Sequence, residues 1–266
     1  MYPIIMQKVF SEPWLIIPQA HEAIQQSLLS HIAAAPQVMD SLGNSGEGHT
    51  VQAGSNIAYV QLYGVVGKHL SGLEMACGGC SLDKVAAELQ AAADDPSIDK
   101  IILDVDSPGG TITGVPELAH LIREIKASKE IFAFTERMMG SAAMWIASAC
   151  SGILSTPSAK VGSIGAYLAM VDNSAKMEKD GQKLLLFEAG AHKAIGLRPP
   201  TAEESKMMQD RVEAIHEDFK ASILIERPSV QDSTMEGLVY SGIEAEGLGL
   251  VDAVVMSFDE ALKAIS

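Results

Sequence analysis

Basic residues are scarce in this sequence: 19 Lys and Arg stand against 34 Asp and Glu in 266 residues, a formal net charge of −15. Such a surface repels phosphate backbones and anionic membranes, which excludes nucleic acid as an expected partner. Cysteine is scarcer still, at three, with Cys77 and Cys80 separated by two glycines and Cys150 far from both. That is no disulfide framework and suits a reducing cytoplasm. Zinc would need a second ligand pair beyond Cys77-Gly78-Gly79-Cys80, and none follows, so a glycine-rich loop is the simpler meaning. The seven histidines show neither His-Glu-x-x-His nor His-x-His spacing, Gly162-Ser163-Ile164-Gly165 lacks the third glycine of a dinucleotide fingerprint, and no Walker sequence occurs. No metal and no cofactor are therefore expected. No apolar run approaches the ~20 residues of a membrane span, and residues 1–7 lack the charged start and apolar stretch of a secretion signal. A soluble protein without a membrane span follows.

What is present is a folding composition, with 47% apolar and 20% charged residues. The length fits one large α/β domain or a domain plus an arm. Residues 1–52 differ from the rest. An apolar patch (Trp14, Leu15, Ile16, Ile17) precedes an amphipathic stretch through His31, then a Gly/Ser-rich segment over 41–55. We read 1–52 as an arm and linker and 53–266 as the main domain. There, strand-like and helix-like periods alternate, the pattern of crossover units around a mainly parallel sheet with flanking helices. Strands are expected over 57–66, 101–105, 131–134, 153–154, 161–169 and 184–187, with a final strand closing the stretch 237–255. Helices are expected after Ser81, over 115–125 and 141–149, and from the capping box of Thr201 and Glu204 to about Ile225. A last short helix starts at Asp259.

Three segments could carry chemistry. Ser107-Pro108-Gly109-Gly110 ends a buried strand, where paired glycines let backbone N–H groups approach a substrate oxygen, as an oxyanion hole requires. Taken alone, such a turn is more often a plain connection. Gly140-Ser141-Ala142-Ala143 puts a hydroxyl at the mouth of a helix, among free N–H groups; capping is the ordinary job of a serine there. Glu188-Ala189-Gly190-Ala191-His192-Lys193 presents one amine and one imidazole, either of which is a base or a solvated surface group. A lysine base needs a closed, water-poor pocket, against the acidic background of the chain.

Taken in order, Asp106-Ser107-Pro108-Gly109-Gly110-Thr111, Gly140-Ser141-Ala142-Ala143-Met144-Trp145, Val161-Gly162-Ser163-Ile164-Gly165 and Gly190-Ala191-His192-Lys193 resemble the signal peptide peptidase A family of serine peptidases. The resemblance runs on through Tyr240-Ser241-Gly242-Ile243-Glu244-Ala245 and Gly249-Leu250-Val251-Asp252. It implies a crotonase-like or Clp-protease-like α/β fold and a Ser–Lys dyad, with Ser141 as nucleophile, Lys193 as general base and Ser163 holding the lysine. Gly110 and Ala142 are then the expected oxyanion donors. His192 is adjacent in sequence, yet successive side chains in extended chain point opposite ways, so one of the two faces the serine, and the resemblance favours Lys193. The segment Pro13-Trp14-Leu15-Ile16-Ile17-Pro18 is similar to the start of phage head-maturation proteases of that family. This implies polypeptide substrates such as scaffold or capsid proteins, a ring-shaped homo-oligomer, and action in the bacterial cytoplasm or the assembling prohead.

Three rivals share part of this pattern. A crotonase-like acyl-CoA enzyme keeps the backbone oxyanion hole but works with carboxylates. A Clp proteolytic subunit needs a histidine soon after its serine, whereas the first one after Ser141 is His192, 51 residues on. A catalytically idle ring protein of the capsid would keep the fold alone.

Overall fold

The structure, a computed structural model, describes residues 13–33, 50–51 and 56–265. Residues 1–7 and, apart from Thr50 and Val51, nearly all of the expected Gly/Ser-rich linker over 41–55 lie outside the described residues. The chain opens with β1 (Trp14–Ile16), α1 (Pro18–Ala33) and β2 (Thr50–Val51). It continues through β3 (Ile57–Tyr63), β4 (Val65–Gly67), α2 (Gly72–Ala76), β5 (Gly79–Ser81) and α3 (Leu82–Asp94). Two like units follow: β6 (Lys100–Asp106), β7 (Gly109–Thr111) and α4 (Val115–Lys126), then β8 (Glu130–Thr135), β9 (Met138–Gly140) and α5 (Ala142–Ser148). Next come β10 (Gly152–Ser155), β11 (Lys160–Gly162), α6 (Ser174–Lys179) and the long α7 (Ala202–Glu226). The chain closes with β12 (Val239–Ser241), α8 (Gly242–Gly247), β13 (Ala253–Val254) and α9 (Phe258–Ile265).

The longer strands build a six-stranded sheet in the order β13-β10-β8-β6-β3-β2, parallel throughout except for β2 against β3. In β6 the apolar run Ile101, Ile102 and Leu103 is buried without alternation, as a strand covered on both faces must be. Each of β3, β6, β8 and β10 is followed by a three-residue strand that leaves this sheet. These short strands form two smaller sheets, β1-β7-β4-β5 and β12-β11-β9. A bridge from Ser107 to Met139 joins the two small sheets. The α/β class with a mainly parallel sheet and flanking helices is thus as expected.

Three strand boundaries are corrected. The expected strand 57–66 is two, because Gly64 turns the chain with φ of 92°, and a Cβ there would stand 2.2 Å from the Gly78 carbonyl oxygen. The expected strand 161–169 ends at Gly162, where Ser163 takes φ of 55° and swings the chain out of the sheet. Residues 184–187 are not a strand at all; Phe187 is 94% exposed. Apolar character alone makes no strand where the backbone finds no neighbouring edge to bond.

Helix α5 is buried along its whole length, which its small residues allow, and its Trp145 stacks on Phe219 of α7 with centroids 4.7 Å apart. The expected capping box is formed: the Glu204 N–H donates to Thr201 Oγ1 and the Thr201 N–H to Glu204 Oε2. Ser81 occupies the N-cap position of α3 without a side-chain cap bond. Beyond α7, Arg227 forks the Asp252 carboxylate at 3.1 and 2.6 Å, and the same carboxylate accepts the Ile153 N–H, tying α7 to β10. Burial pushes the Asp252 carboxyl up, but the bonds from Arg227 and Ile153 outweigh it and hold it below its ordinary value. All three cysteines are free thiols; burial raises those of Cys80 and Cys150 to about 11 and about 12.

Candidate active site

Ser141 stands between β9 and α5, and the passage from strand to helix in one residue forces φ to 51° and ψ to −116°. A non-glycine residue at such angles is strained, as in nucleophile elbows that push a hydroxyl out of a strand–helix turn. Its N–H donates to the Gly162 oxygen at 2.7 Å, and its own oxygen accepts the Trp145 N–H at 3.0 Å. The side chain makes no capping bond, which removes the ordinary explanation of a serine at this place. Its Oγ is buried and has no hydrogen-bond partner among the described residues.

Two backbone segments converge on Ser141. The Ser107 oxygen accepts the Gly140 N–H at 2.9 Å, while Ser107 Oγ accepts the Gly109 N–H at 3.1 Å, so Ser107 fastens the glycine turn to β9. Where a Gly109 Cβ would stand, Ser141 Cβ and the Ala142 nitrogen are each 3.0 Å away. Gly110 follows in β7, and a Cβ on it would meet the Val66 oxygen at 1.9 Å. Only glycines fit here, and they bring the N–H groups of β7 beside the first turn of α5. Parallel pairing of Gly140 with Gly162 places Ser163 alongside Ser141, each with positive φ just past its strand. The Ser163 N–H donates to the Leu238 oxygen at 2.6 Å.

Lys193 is placed differently. It is exposed, in a turn where its N–H donates to the Gly190 oxygen at 3.0 Å, and it makes no hydrogen bond to Ser141 Oγ within the chain. This turn is anchored on α7. Arg198 forks Glu204 at 2.7 and 2.9 Å and lies 3.8 Å from Glu188, while His192 Nδ1 is 3.9 Å from the Glu204 carboxylate. Ser141, Ser163 and Ala142 are therefore brought together beside Gly109, the neighbour of Gly110 in β7, whereas Lys193 is exposed and makes no hydrogen bond to Ser141 Oγ.

A protein-family model described as Peptidase family S49 matches residues 123–266, a span that includes Ser141, Ser163 and Lys193. The chain belongs to Peptidase family S49. Among its relatives, Capsid assembly protease C of Escherichia phage lambda is 29% identical over 284 residues, covering 97% of this chain and 64% of the relative. Head-tail preconnector protein GP5 of Enterobacteria phage P21 is 28% identical over 277 residues, covering 96% of this chain and 55% of the relative. Protease 4 of Salmonella typhi is 29% identical over 195 residues, covering 70% of this chain. This Peptidase family S49 member thus spans between 55% and 64% of the length of the two phage relatives.

Some site residues of this family member were not legible as such. Leu15 and Ile17 were marked by the segment 13–18, and Tyr167 lay in the expected strand 161–169, but nothing in the sequence showed that they reach the glycine turn or its covering strand. Gly109 and Gly140 stood in the two candidate motifs, but their close approach to Leu15 and Ile17 was not visible there. Among the described residues no cluster of His, Cys, Asp and Glu could hold a metal ion, and no helix is long and apolar enough to cross a membrane.

Proposed function

We propose that the chain is a serine endopeptidase with a Ser141–Lys193 dyad, acting as a phage or prophage capsid maturation protease on scaffold or capsid proteins. The observation that carries this is Ser141 itself: a strained hydroxyl without a hydrogen-bond partner among the described residues, at the start of a buried helix beside a glycine strand, in a Peptidase family S49 chain. The name of the lambda relative, Capsid assembly protease C, supports the substrate class and a setting in the host cytoplasm or prohead. Residues 53–266 form the peptidase unit, with 1–52 as its arm.

In this mechanism the Lys193 amine takes the Ser141 proton, the alkoxide attacks a peptide carbonyl, and the N–H groups of Gly110 and Ala142 receive the negative charge. Lys193 then gives its proton to the leaving amine, and Ser163 orients it. Since Lys193 is exposed, the dyad closes when the segment 168–200 is covered. Its exposed Val171, Leu185, Phe187 and Leu197 support docking onto another copy in a ring-shaped homo-oligomer.

Labelling with a serine-reactive fluorophosphonate, beside cleavage of a capsid-protein substrate, tests the assignment. Ser141→Ala is expected to abolish both, Lys193→Ala to abolish cleavage, and His192→Ala to leave most activity. Loss with His192 and not Lys193 overturns the dyad; a folded wild-type protein that neither labels nor cleaves points to an inert shell component.

A further inference from the structure

We propose that β1 occupies the strand position of a peptide substrate: the free chain is self-occluded, and an extended peptide with apolar side chains enters by displacing residues 13–17. The proposal rests on the peptidase assignment of the same site and adds its substrate geometry.

The hydrogen bonds set the register. β1 runs antiparallel to β7, pairing Trp14 with Thr111, Leu15 with Gly110 and Ile16 with Gly109. The Ile17 N–H donates to the Pro108 oxygen at 3.0 Å, so by antiparallel alternation Leu15 and Gly110 are the next bonded pair. Trp14 faces the other way, donating its N–H to the Tyr167 oxygen at 2.9 Å and accepting the Tyr167 N–H at 3.1 Å. The segment therefore lies between two hydrogen-bonding edges, which is how an extended peptide is held by strand addition. By that alternation Gly110, the expected oxyanion donor, gives its N–H to the carbonyl of Leu15.

The covering is tight. The Leu15 oxygen lies 2.1 Å from the point where a Gly109 Cβ would stand, a point that Ser141 Cβ and the Ala142 nitrogen approach to 3.0 Å. Ile17 Cδ1 is 2.9 Å from where a Gly140 Cβ would be. Both glycines flanking the reacting groups thus make room for this segment. Ser141 beneath it is only 1% exposed, so no substrate reaches the hydroxyl until something moves. Trp14, Leu15, Ile16 and Ile17 are all buried, which marks the groove as apolar. Trp14 latches the segment, its ring 4.7 Å from His21, whose Nδ1 is 2.8 Å from the Tyr167 hydroxyl.

The full-length protein with Trp14→Ala tests this, because the change loosens the latch and leaves β7, Ser141 and the covering backbone in place. If fewer than about one molecule in ten is open, release raises the rate of fluorophosphonate labelling about tenfold, with Trp14→Phe near wild type. In a Ser141→Ala background, fluorescence anisotropy of a labelled peptide of residues 11–20 reads the groove without catalysis, and Trp14→Ala is expected to tighten binding about tenfold. Equal peptide binding with and without Trp14→Ala, in proteins with matching circular dichroism and oligomeric size, overturns the proposal. Tighter binding with no labelling in any variant leaves the occlusion standing and removes the peptidase assignment. Should Trp14→Ala fail to fold, Ile17→Ala, which trims the contact on Gly140, serves in the same assays with the same expected direction.

Discussion

Ser141 carries a backbone conformation that a serine adopts only under constraint, and the constraint is identifiable: its N–H is held by Gly162 and its oxygen by Trp145. Strain of this kind costs about 1–3 kcal/mol. Ser141→Gly, which tolerates positive φ, is therefore expected to raise unfolding free energy by about 1 kcal/mol in denaturant titration while abolishing fluorophosphonate labelling. A Gly variant no more stable than wild type would show that the turn is unstrained. Gly110→Ala has the opposite sign. Its methyl group would stand 1.9 Å from the Val66 oxygen, so β7 must move, at a cost of several kcal/mol by about the upper range of single substitutions. The proposed roles of Ser141 and Gly110 come from contiguous motifs whose chemistry is local. Leu15 was legible as an apolar residue of the segment 13–18 but not as a partner of Gly110, which lies in another part of the chain, and nothing in either segment names the other.

Among the elements, α7 shows what local sequence can specify. Thr201 and Glu204 announce the helix start, and the structure forms both bonds of the box. Glu204 does more than cap: the side-chain bond from Arg198 comes first, then the Thr201 N–H, and together they hold its carboxyl well below the usual carboxylate range. A carboxyl depressed on folding stabilises the native state above its unfolded pKa, about 4.3, and that contribution disappears as pH falls through the lower folded value. Glu204→Gln should therefore lower Tm at pH 7, with the gap from wild type narrowing below about pH 4.3 as acid protonates Glu204. A gap that stays constant from pH 7 to 3 would show that the charge contributes nothing. The segment 184–187 shows the limit of local sequence. Leu184, Leu185 and Phe187 have strand-like character, but strand formation needs a partner edge, and that is a property of the surroundings.

At the scale of the molecule, the parallel sheet was legible from the alternation of strand and helix periods, whereas the second layer was not. Its strands of three residues, such as β7, β9 and β11, are too short for periodicity, and they are the ones that carry Gly110 and lead into Ser141 and Ser163. The same scale bears on the proposed role of Lys193. Within one chain Ser141 Oγ has no hydrogen-bond partner among the described residues, and Lys193 rides an exposed turn flanked by uncovered apolar side chains such as Phe187 and Leu197. Closed rings are built from heterologous contacts, in which one surface of a subunit meets a different surface of the next. If the 168–200 segment is such a surface, each active site draws Ser141 from one subunit and Lys193 from its neighbour. Ser141→Ala and Lys193→Ala, each inactive alone, should then recover activity when unfolded and reassembled together in equal amounts. Random mixing leaves both groups intact at about one site in four, half of the serines times half of the lysines in a ring of like contacts. Subunits that complete the dyad from within their own chain leave no intact site in the mixture, so a mixture as inactive as its parents, in rings of wild-type size, would place the amine and the alcohol in the same chain.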